Sequence, residues 1–232
     1  EDDEHCPTIA KQTTKPKHIW GYTTPDYVIE DHIYKIIVEN KKIPLQVFGK
    51  HNLQNINAAR LACNSVGISD DDFYAAIQTF KGASKRLECV YESATCCMYK
   101  DFAHSPSKLK ATIDAVKEKF NDRKLVACIE LHTFSSLTAD FLKHYANTMD
   151  NADYAFVYFN PNTLQHKKLP PIENKMISAA FENENIQVYQ HSKDLINKLL
   201  SMKWENQNLL MMSSGNFDGI DYDKLAAWIF EK

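Results

Sequence analysis

Residues 96–120 read CCMYKDFAHSPSKLKATIDAVKEKF, and this stretch decides the fold. It opens with a short run over 96–101 that is typical of a buried strand. The segment 106–120 then carries apolar residues at every third or fourth position, which predicts an amphipathic helix. Those residues are Leu109, Ile113, Val116 and Phe120. Pro106 suits the first turn of that helix. A strand followed directly by a helix is the repeating unit of an α/β fold.

The same alternation of strand and helix continues to the end of the chain. The further predicted strands are 87–91, 124–131, 153–159, 186–189 and 207–213. The further predicted helices are 137–149, 173–183, 191–203 and 221–231. Strands separated by amphipathic helices join by crossover connections and form a mostly parallel sheet. We therefore expect an α/β domain over residues 85–232, with its sheet flanked by helices.

The preceding segment, residues 1–84, has a different organisation. Strands are predicted over 18–22, as a hairpin over 27–38, and over 43–48 after a turn at 40–42. Two helices follow: the first starts near Asn52 and ends before Gly67, and Ser69 is the expected N-cap of the second, with Asp72 as its capping partner. These elements are too few for a complete domain. We expect residues 1–84 to be the tail of a larger domain whose beginning is absent.

Composition and charge exclude several classes of protein. The formal net charge is -3 and 44% of the residues are hydrophobic, which is ordinary globular composition and indicates neither nucleic acid nor a membrane surface as a partner. No run approaches the roughly 20 apolar residues of a membrane span. The six cysteines include no C-x-x-C pair, so we expect no metal site and reduced cysteines in a cytoplasmic protein.

Three polar segments follow predicted strands, at the edge of the sheet where open α/β proteins bind ligands. Asp101 could accept hydrogen bonds from a ribose diol, or it could only cap the next helix together with Ser105. His132 could bind a carboxylate or phosphate, or serve only a structural role. The glycines within 212–219 allow close approach of an anion to the backbone, but a plain loop would also use them. No motif for a catalytic nucleophile is present.

Three motifs, in order and with fitting spacing, resemble those of the Mur ligase family. Residues 49–59, GKHNLQNINAA, resemble its G-x-H-N-x-x-N-x-x-A-A motif. Residues 80–88, FKGASKRLE, resemble its F-x-G-x-x-x-R-x-E linker, and residues 101–106, DFAHSP, resemble its D-Y-A-H-x-P stretch. The resemblance covers the chain from about residue 43 onward. It implies the last third of a central ATPase domain over 1–84 and a Rossmann-like carboxyl-terminal domain over 85–232.

The resemblance also implies a reaction and its ligands. Mur ligases use ATP and Mg²⁺ to activate a carboxylate as an acyl phosphate, which an amine then attacks to give an amide. By this resemblance the ATP-binding residues would be His51, Asn52, Asn55, Arg86 and Asp101. The residues for the incoming amine would be His104, His132, Ser213, Ser214 and Asn216.

The phosphate-binding half of that machinery is not among these residues. The G-x-x-x-x-G-K-[ST] phosphate loop does not occur in the 232 residues. We therefore expect the phosphate loop and most Mg²⁺ ligands to lie in a missing amino-terminal portion of the same enzyme. No catalytic residue is assigned in this fragment, and we expect the fragment alone to be inactive.

The loop over 212–220 suggests a branch of the family. It reads MSSGNFDGI and resembles the M-S-N-G-G-F-G-G-I loop of bacterial members that join a recycled tripeptide, L-alanyl-γ-D-glutamyl-meso-diaminopimelate, to UDP-N-acetylmuramate. The alternative is the branch that adds L-alanine to the same acceptor in peptidoglycan synthesis. Both branches carry an Arg that this chain lacks: His132 replaces it relative to the first branch, and Ser136 relative to the second.

Two readings from other classes compete with the ligase. One is a non-catalytic Rossmann-like binding module, which predicts no coupling between nucleotide binding and substrate binding. The other is a Rossmann dehydrogenase domain, which is excluded because no G-x-G-x-x-G follows the first strand of the repeat.

Overall fold

A computed structural model describes residues 20–231 of the chain. The chain forms two compact units that divide between Lys81 and Gly82. Part of the strand predicted over 18–22 lies outside the described residues. Its described part, 20–22, is not in a strand, so the prediction is wrong there.

The first unit begins with an antiparallel three-stranded sheet. Its strands are β1 (Tyr27–Glu30), β2 (Ile33–Val38) and β3 (Lys41–Pro44), in the order β1-β2-β3. The predicted hairpin over 27–38 is confirmed, with Asp31 and His32 at its turn, both at positive φ. The predicted third strand is misplaced, because the turn falls earlier, at Glu39 and Asn40, which also have positive φ and let the chain reverse two residues sooner.

Two helices complete the first unit: α1 (Lys50–Ser65) and α2 (Asp70–Ile77). Leu53 and Ile56 bury the inner stripe of α1. The predicted N-cap of α2 is confirmed, because the amide of Asp72 donates to Ser69 Oγ at 3.2 Å.

The second unit is an α/β domain built on one six-stranded sheet, as predicted. The strands are β4 (Glu88–Glu92), β5 (Cys97–Asp101), β6 (Lys124–Glu130), β7 (Tyr154–Tyr158), β8 (Ile186–Tyr189) and β9 (Gln207–Met212). Their order is β4-β5-β9-β6-β7-β8, and every neighbouring pair is parallel except β4 with β5. The last strand of the chain, β9, therefore lies in the middle of the sheet, between β5 and β6.

Helices flank this sheet. They are α3 (Pro106–Lys119), α4 (Ala139–Leu142), α5 (Pro161–His166), α6 (Asn174–Phe181), α7 (Ser192–Ser201) and α8 (Tyr222–Phe230). Leucines and isoleucines of α7 and α8 pack on one face of the central strands, against Val126, Phe156 and Leu209. Residues that alternate with these along the strands are equally buried, so the central sheet is covered on both faces.

The helical layer departs from the prediction at two places. The predicted helix 137–149 is broken into a 3-10 turn at Ser135–Leu137, the short α4, and a second 3-10 turn at Lys143–Tyr145. Asn147 then takes a φ of 59°, which ends the helical winding. Helix α5, which starts at Pro161 behind an Asn160 N-cap, was not predicted from the sequence.

Candidate functional site

The candidate site lies where the parallel strands end. Asp101 is level with Met212 across the β5–β9 pair, Ile129 is level with Met212 across β6–β9, and Glu130 is level with Tyr158 across β6–β7. The loop after β9 therefore leaves the sheet between Asp101 on one side and Glu130 on the other. This shared edge is where open α/β sheets bind their ligands.

Asp101 is the last residue of β5, and its carboxylate accepts two hydrogen bonds from backbone amides. Asp101 as a residue is 8% exposed, and its Oδ2 accepts from the amide of Leu87 at 2.7 Å and its Oδ1 from the amide of Ala103 at 2.6 Å. Ser105 is the N-cap residue of α3, but its side chain makes no capping hydrogen bond. The alternative that Asp101 and Ser105 cap α3 is therefore wrong. Asp101 instead ties the segment before β4 to the end of β5.

A second carboxylate shapes that preceding segment. Glu88 Oε2 accepts from the amide of Lys85 at 2.8 Å, and Glu88 Oε1 pairs with Lys100 Nζ at 2.8 Å. The hydrogen bond from Lys100 and the backbone hydrogen bond at Lys85 lower the pKa of Glu88, so the carboxylate is charged at neutral pH. The Glu of the linker motif, Glu88, therefore stabilises the turn that carries Arg86.

Arg86 and His104 lie beside the Phe102 ring. The guanidinium of Arg86 is 5.5 Å from the ring centroid, and the His104 ring packs edge-on against it at 5.2 Å. His104 Nδ1 is 2.9 Å from the Phe102 carbonyl, and the His104 carbonyl accepts from Tyr145 Oη. The guanidinium of Arg86 can donate to phosphate oxygens, and the aromatic ring of Phe102 can stack on a planar base. Together they suit the two parts of a nucleotide.

The loop after β9 is folded around Glu130. Glu130 is 3% exposed, and its Oε2 accepts from Ser213 Oγ and from the amide of Phe217 at 2.8 Å. Ser213 Oγ in turn accepts from the amide of Gly215 at 2.6 Å. The amide of Ser213 donates to the Asp101 carbonyl at 3.0 Å. One loop therefore connects the ends of β5, β9 and β6.

The other predicted side chains at this edge lie on the same loop or beside it. His132 Nδ1 is 3.6 Å from Glu130 Oε1, and the His132 side chain is 44% exposed. Ser214 Oγ is shielded from solvent and has no hydrogen-bond partner within residues 20–231. Asn216 is exposed, and its Oδ1 accepts from the amide of Gly219 at 3.0 Å. His132, Ser213, Ser214 and Asn216 are thus brought to one place.

The far end of the loop is held by a third carboxylate. Asp218 Oδ2 accepts from Tyr158 Oη at 2.8 Å and from Asn160 Nδ2. Burial raises the pKa of the Tyr158 hydroxyl, and the hydrogen bond to Asp218 raises it further, so the hydroxyl keeps its proton and stays a donor. Phe217, completely buried, stacks on the Tyr158 ring at 5.8 Å.

The remaining predicted residues lie on the first unit, at the start of α1. Asn52 Nδ2 donates to the Phe48 carbonyl at 2.8 Å, so this amide also stabilises the entry into the helix. His51 is half-buried and Asn55 is exposed. Gly49, the N-cap residue, has a φ of 90°, which explains why the motif begins with glycine.

Glu130 and Asp218 were not predicted as site residues from the sequence. A carboxylate at the end of the buried run 125–129 was the available signal for Glu130, since a charge is buried only where partners meet it. Asp218 carried no such signal, because its partners are distant in sequence: Tyr158 at the end of β7, and Asn160. Within residues 20–231 no group of three or more His, Cys, Asp or Glu is placed to hold a metal ion, and no helix there is long and apolar enough to cross a membrane.

Comparison with known proteins identifies similar chains. Residues 85–215 match the family model described as "Mur ligase, glutamate ligase domain". The UDP-N-acetylmuramate–L-alanine ligase of Cytophaga hutchinsonii is 30% identical over 137 residues, which are 57% of this chain and 29% of that protein. The enzyme of the same name from Sulfurihydrogenibium is 30% identical over 163 residues, 67% of this chain and 36% of that protein.

Solved structures share the fold. The UDP-N-acetylmuramate–alanine ligase of Thermotoga maritima aligns with a TM-score of 0.64 and 19% identity over 90% of this chain and 45% of its own. The murein peptide ligase of Psychrobacter arcticus aligns with a TM-score of 0.53 and 23% identity over 92% of this chain and 44% of its own. The chain spans less than half the length of each of these four relatives.

Proposed function

The chain belongs to the Mur ligase family, and on this premise we propose that it forms the part of an ATP-dependent ligase that receives the nucleotide and the incoming amine. The full reaction would join a murein tripeptide to UDP-N-acetylmuramate through an acyl phosphate, in peptidoglycan recycling. The observation that carries the proposal is the loop over 213–219, which gathers predicted substrate residues between Asp101 and Glu130.

On the second unit, the nucleotide side of the proposal rests on Arg86 and Asp101. Arg86 has the fork geometry that suits phosphate oxygens, and Phe102 offers an apolar ring beside it. Each carboxylate oxygen of Asp101 accepts one backbone amide and keeps a second lone pair, which a ribose hydroxyl could use. For the first unit, the resemblance to the family assigns His51, Asn52 and Asn55 to the adenine.

ATP would donate its γ-phosphoryl group to the carboxylate, and Mg²⁺ together with the phosphate loop would stabilise the charge that develops in this first step. The phosphate loop and most of the Mg²⁺ ligands would come from the rest of the full-length protein. The residues of this chain would hold the amine for the second chemical step. In that step the amine nitrogen would form a bond to the activated carbonyl carbon while phosphate leaves. Fixing such an arrangement replaces a bimolecular encounter and lowers the barrier.

Two candidates exist for the amine itself. The MSSGNFDGI loop favours the tripeptide, and the similar proteins named UDP-N-acetylmuramate–L-alanine ligase favour L-alanine. The test is ATP-dependent phosphate release by the full-length protein with UDP-N-acetylmuramate, comparing L-alanine with the tripeptide. Release that depends on the tripeptide supports the proposal, and release that depends on L-alanine alone would replace it with the biosynthetic reaction.

The non-catalytic binding module remains the alternative from another class. It predicts that neither amine promotes phosphate release and that nucleotide binding is indifferent to UDP-N-acetylmuramate. An Arg86→Ala variant tests the nucleotide side of the proposal. We expect this variant to weaken ATP binding, because the guanidinium beside Phe102 is lost, without changing the fold around Glu88.

A further inference from the structure

Glu130 is a buried charge at a position that strand packing alone would fill with an apolar side chain. The five residues before it, 125–129, are at most 1% exposed, and Glu130 itself is 3% exposed. A carboxylate is strongly hydrated in the unfolded chain, so its burial costs free energy unless hydrogen bonds replace the water. Here Ser213 Oγ and the amide of Phe217 replace it on one oxygen.

The path of the loop depends on that oxygen. Ser213 Oγ donates to Glu130 and accepts from the amide of Gly215, so the chain curls around the carboxylate within three residues. A Cβ added at Gly215 would lie 2.8 Å from Glu130 Oε2 and 3.1 Å from His132 Cγ. Only a glycine allows the backbone to approach the carboxylate this closely.

The loop also leaves one polar group unused. Ser214 follows Ser213, and its Oγ is shielded from solvent with no hydrogen-bond partner in the described chain. Such a group costs free energy in a folded protein, and a ligand is one way to satisfy it. The backbone at Ser214 is held by the hydrogen bonds of its neighbours Ser213 and Gly215, and therefore by Glu130.

We propose that Glu130 is a positioning residue, which holds the Ser213–Gly219 loop in the shape that receives the incoming amine substrate. Glu130 acts through the loop and does not itself contact the reacting atoms. The inference rests on the proposed function, because it takes the loop as the amine site.

Two variants of the full-length protein separate charge from geometry. Glu130→Leu removes both carboxylate oxygens, so Ser213 Oγ and the amide of Phe217 lose their acceptor, and Ser213 Oγ is no longer held in place for the amide of Gly215. Glu130→Gln keeps one oxygen, which can still accept from Ser213 Oγ and from Phe217. The matched control is Asp153→Asn, since Asp153 also accepts one backbone amide, from Leu125 at 2.8 Å, and one side chain, but at the opposite end of β6.

Two readouts are measured on the same proteins. One is hydrogen exchange of the peptide that spans Met212–Ile220, and the other is the pair of KM values for ATP and for the amine. For Glu130→Leu we expect exchange in this peptide and the KM for the amine each to rise roughly 10-fold to 100-fold, with the KM for ATP within about 2-fold of wild type. In Glu130→Gln, hydrogen exchange of the loop peptide and the KM for the amine should both stay close to wild type. Asp153→Asn should change neither the exchange nor this KM.

The outcomes that overturn the inference are distinct from those that overturn the function. Unchanged exchange in Glu130→Leu would show that the carboxylate does not shape the loop. A loosened loop with equal rises in both KM values would show a general structural role. A wild-type protein that releases no phosphate with either amine would refute the proposed function, and the amine role with it.

Discussion

Asp101→Asn is an almost isosteric substitution that the structure predicts to be destabilising. Both carboxylate oxygens of Asp101 accept from backbone amides, those of Leu87 and Ala103, and the residue is 8% exposed. An asparagine offers one oxygen and one NH₂ group. Whichever way the carboxamide turns, its NH₂ group faces one of the two amide donors, so one hydrogen bond is lost and two donors are opposed.

The magnitude follows from the strength of those hydrogen bonds. A hydrogen bond to a charged group contributes about 1.5–3 kcal/mol, and a buried donor left without a partner costs about 1–3 kcal/mol. These two figures describe overlapping parts of the same loss, so we expect Asp101→Asn to lower the unfolding free energy of the second unit by about 2 kcal/mol. The control is Asp221→Asn, because Asp221 is a more exposed N-cap residue and asparagine caps a helix about equally well.

The assay is urea unfolding followed by tryptophan fluorescence in a Trp20→Phe background, in which Trp204 and Trp228 report on the second unit alone. ATP affinity is measured on the same variant below its unfolding transition. A stability loss under about 0.5 kcal/mol would refute the reasoning, since it would mean that the buried amides do not need the charge. A loss of ATP affinity with full stability would instead assign Asp101 wholly to the ribose.

Three further predictions follow from other sites. Gly215→Ala should cost about 1–3 kcal/mol by overpacking against Glu130, whereas Gly219→Ala, with nothing within 4 Å of its new Cβ, should cost about 1–2 kcal/mol from its φ alone. Hydrogen exchange at Phe217 should rise only in the first, and equal exchange in both would contradict this. Hydrogen bonds from two lysines lower the pKa of Glu30 from 4.5 to about 2, so its contribution to the hairpin should be complete above pH 4.5 and lost as the pH falls towards 2; NMR titration of its carboxyl carbon checks this. Arg123→Lys should cost about 1–2 kcal/mol by urea unfolding, because the buried guanidinium of Arg123 donates to several acceptors that one ammonium cannot reach together, and an unchanged midpoint would contradict it.

The strands of the second unit could be predicted from the sequence because each is a short buried run bounded by polar residues. All six lie within a residue or two of the predicted ranges. The helix predicted over 137–149 failed for an identifiable reason. Leu137, Leu142, Tyr145 and Met149 are all buried, but successive short turns can bury residues at such spacing as well as one helix can.

The contacts of the candidate site could not be predicted, although most of its residues could. Ser213 and His132 were expected at strand ends, yet no local pattern places β9 between β5 and β6. That order alone brings Ser213 to both Asp101 and Glu130, which are separated from it by more than eighty residues of sequence. Glu130 was passed over because a carboxylate after an apolar run also marks an ordinary strand end.

The same order explains why the carboxylates of this edge need to be tested as structural groups before they are tested as ligand-binding ones. Asp101 and Glu130 end the two strands that flank β9. Each carboxylate accepts a hydrogen bond from a backbone amide of another segment, Leu87 for Asp101 and Phe217 for Glu130. A simple alanine substitution at either site would therefore reduce activity even if neither touched a substrate. At Glu130 the informative comparison is between a substitution that keeps an acceptor oxygen and one that removes it, because only the first leaves the loop in place. Activity lost in Glu130→Gln with normal exchange in the loop would reveal a direct role for the charge, whereas activity kept there and lost in Glu130→Leu would assign the residue to the geometry of the Ser213–Gly219 loop.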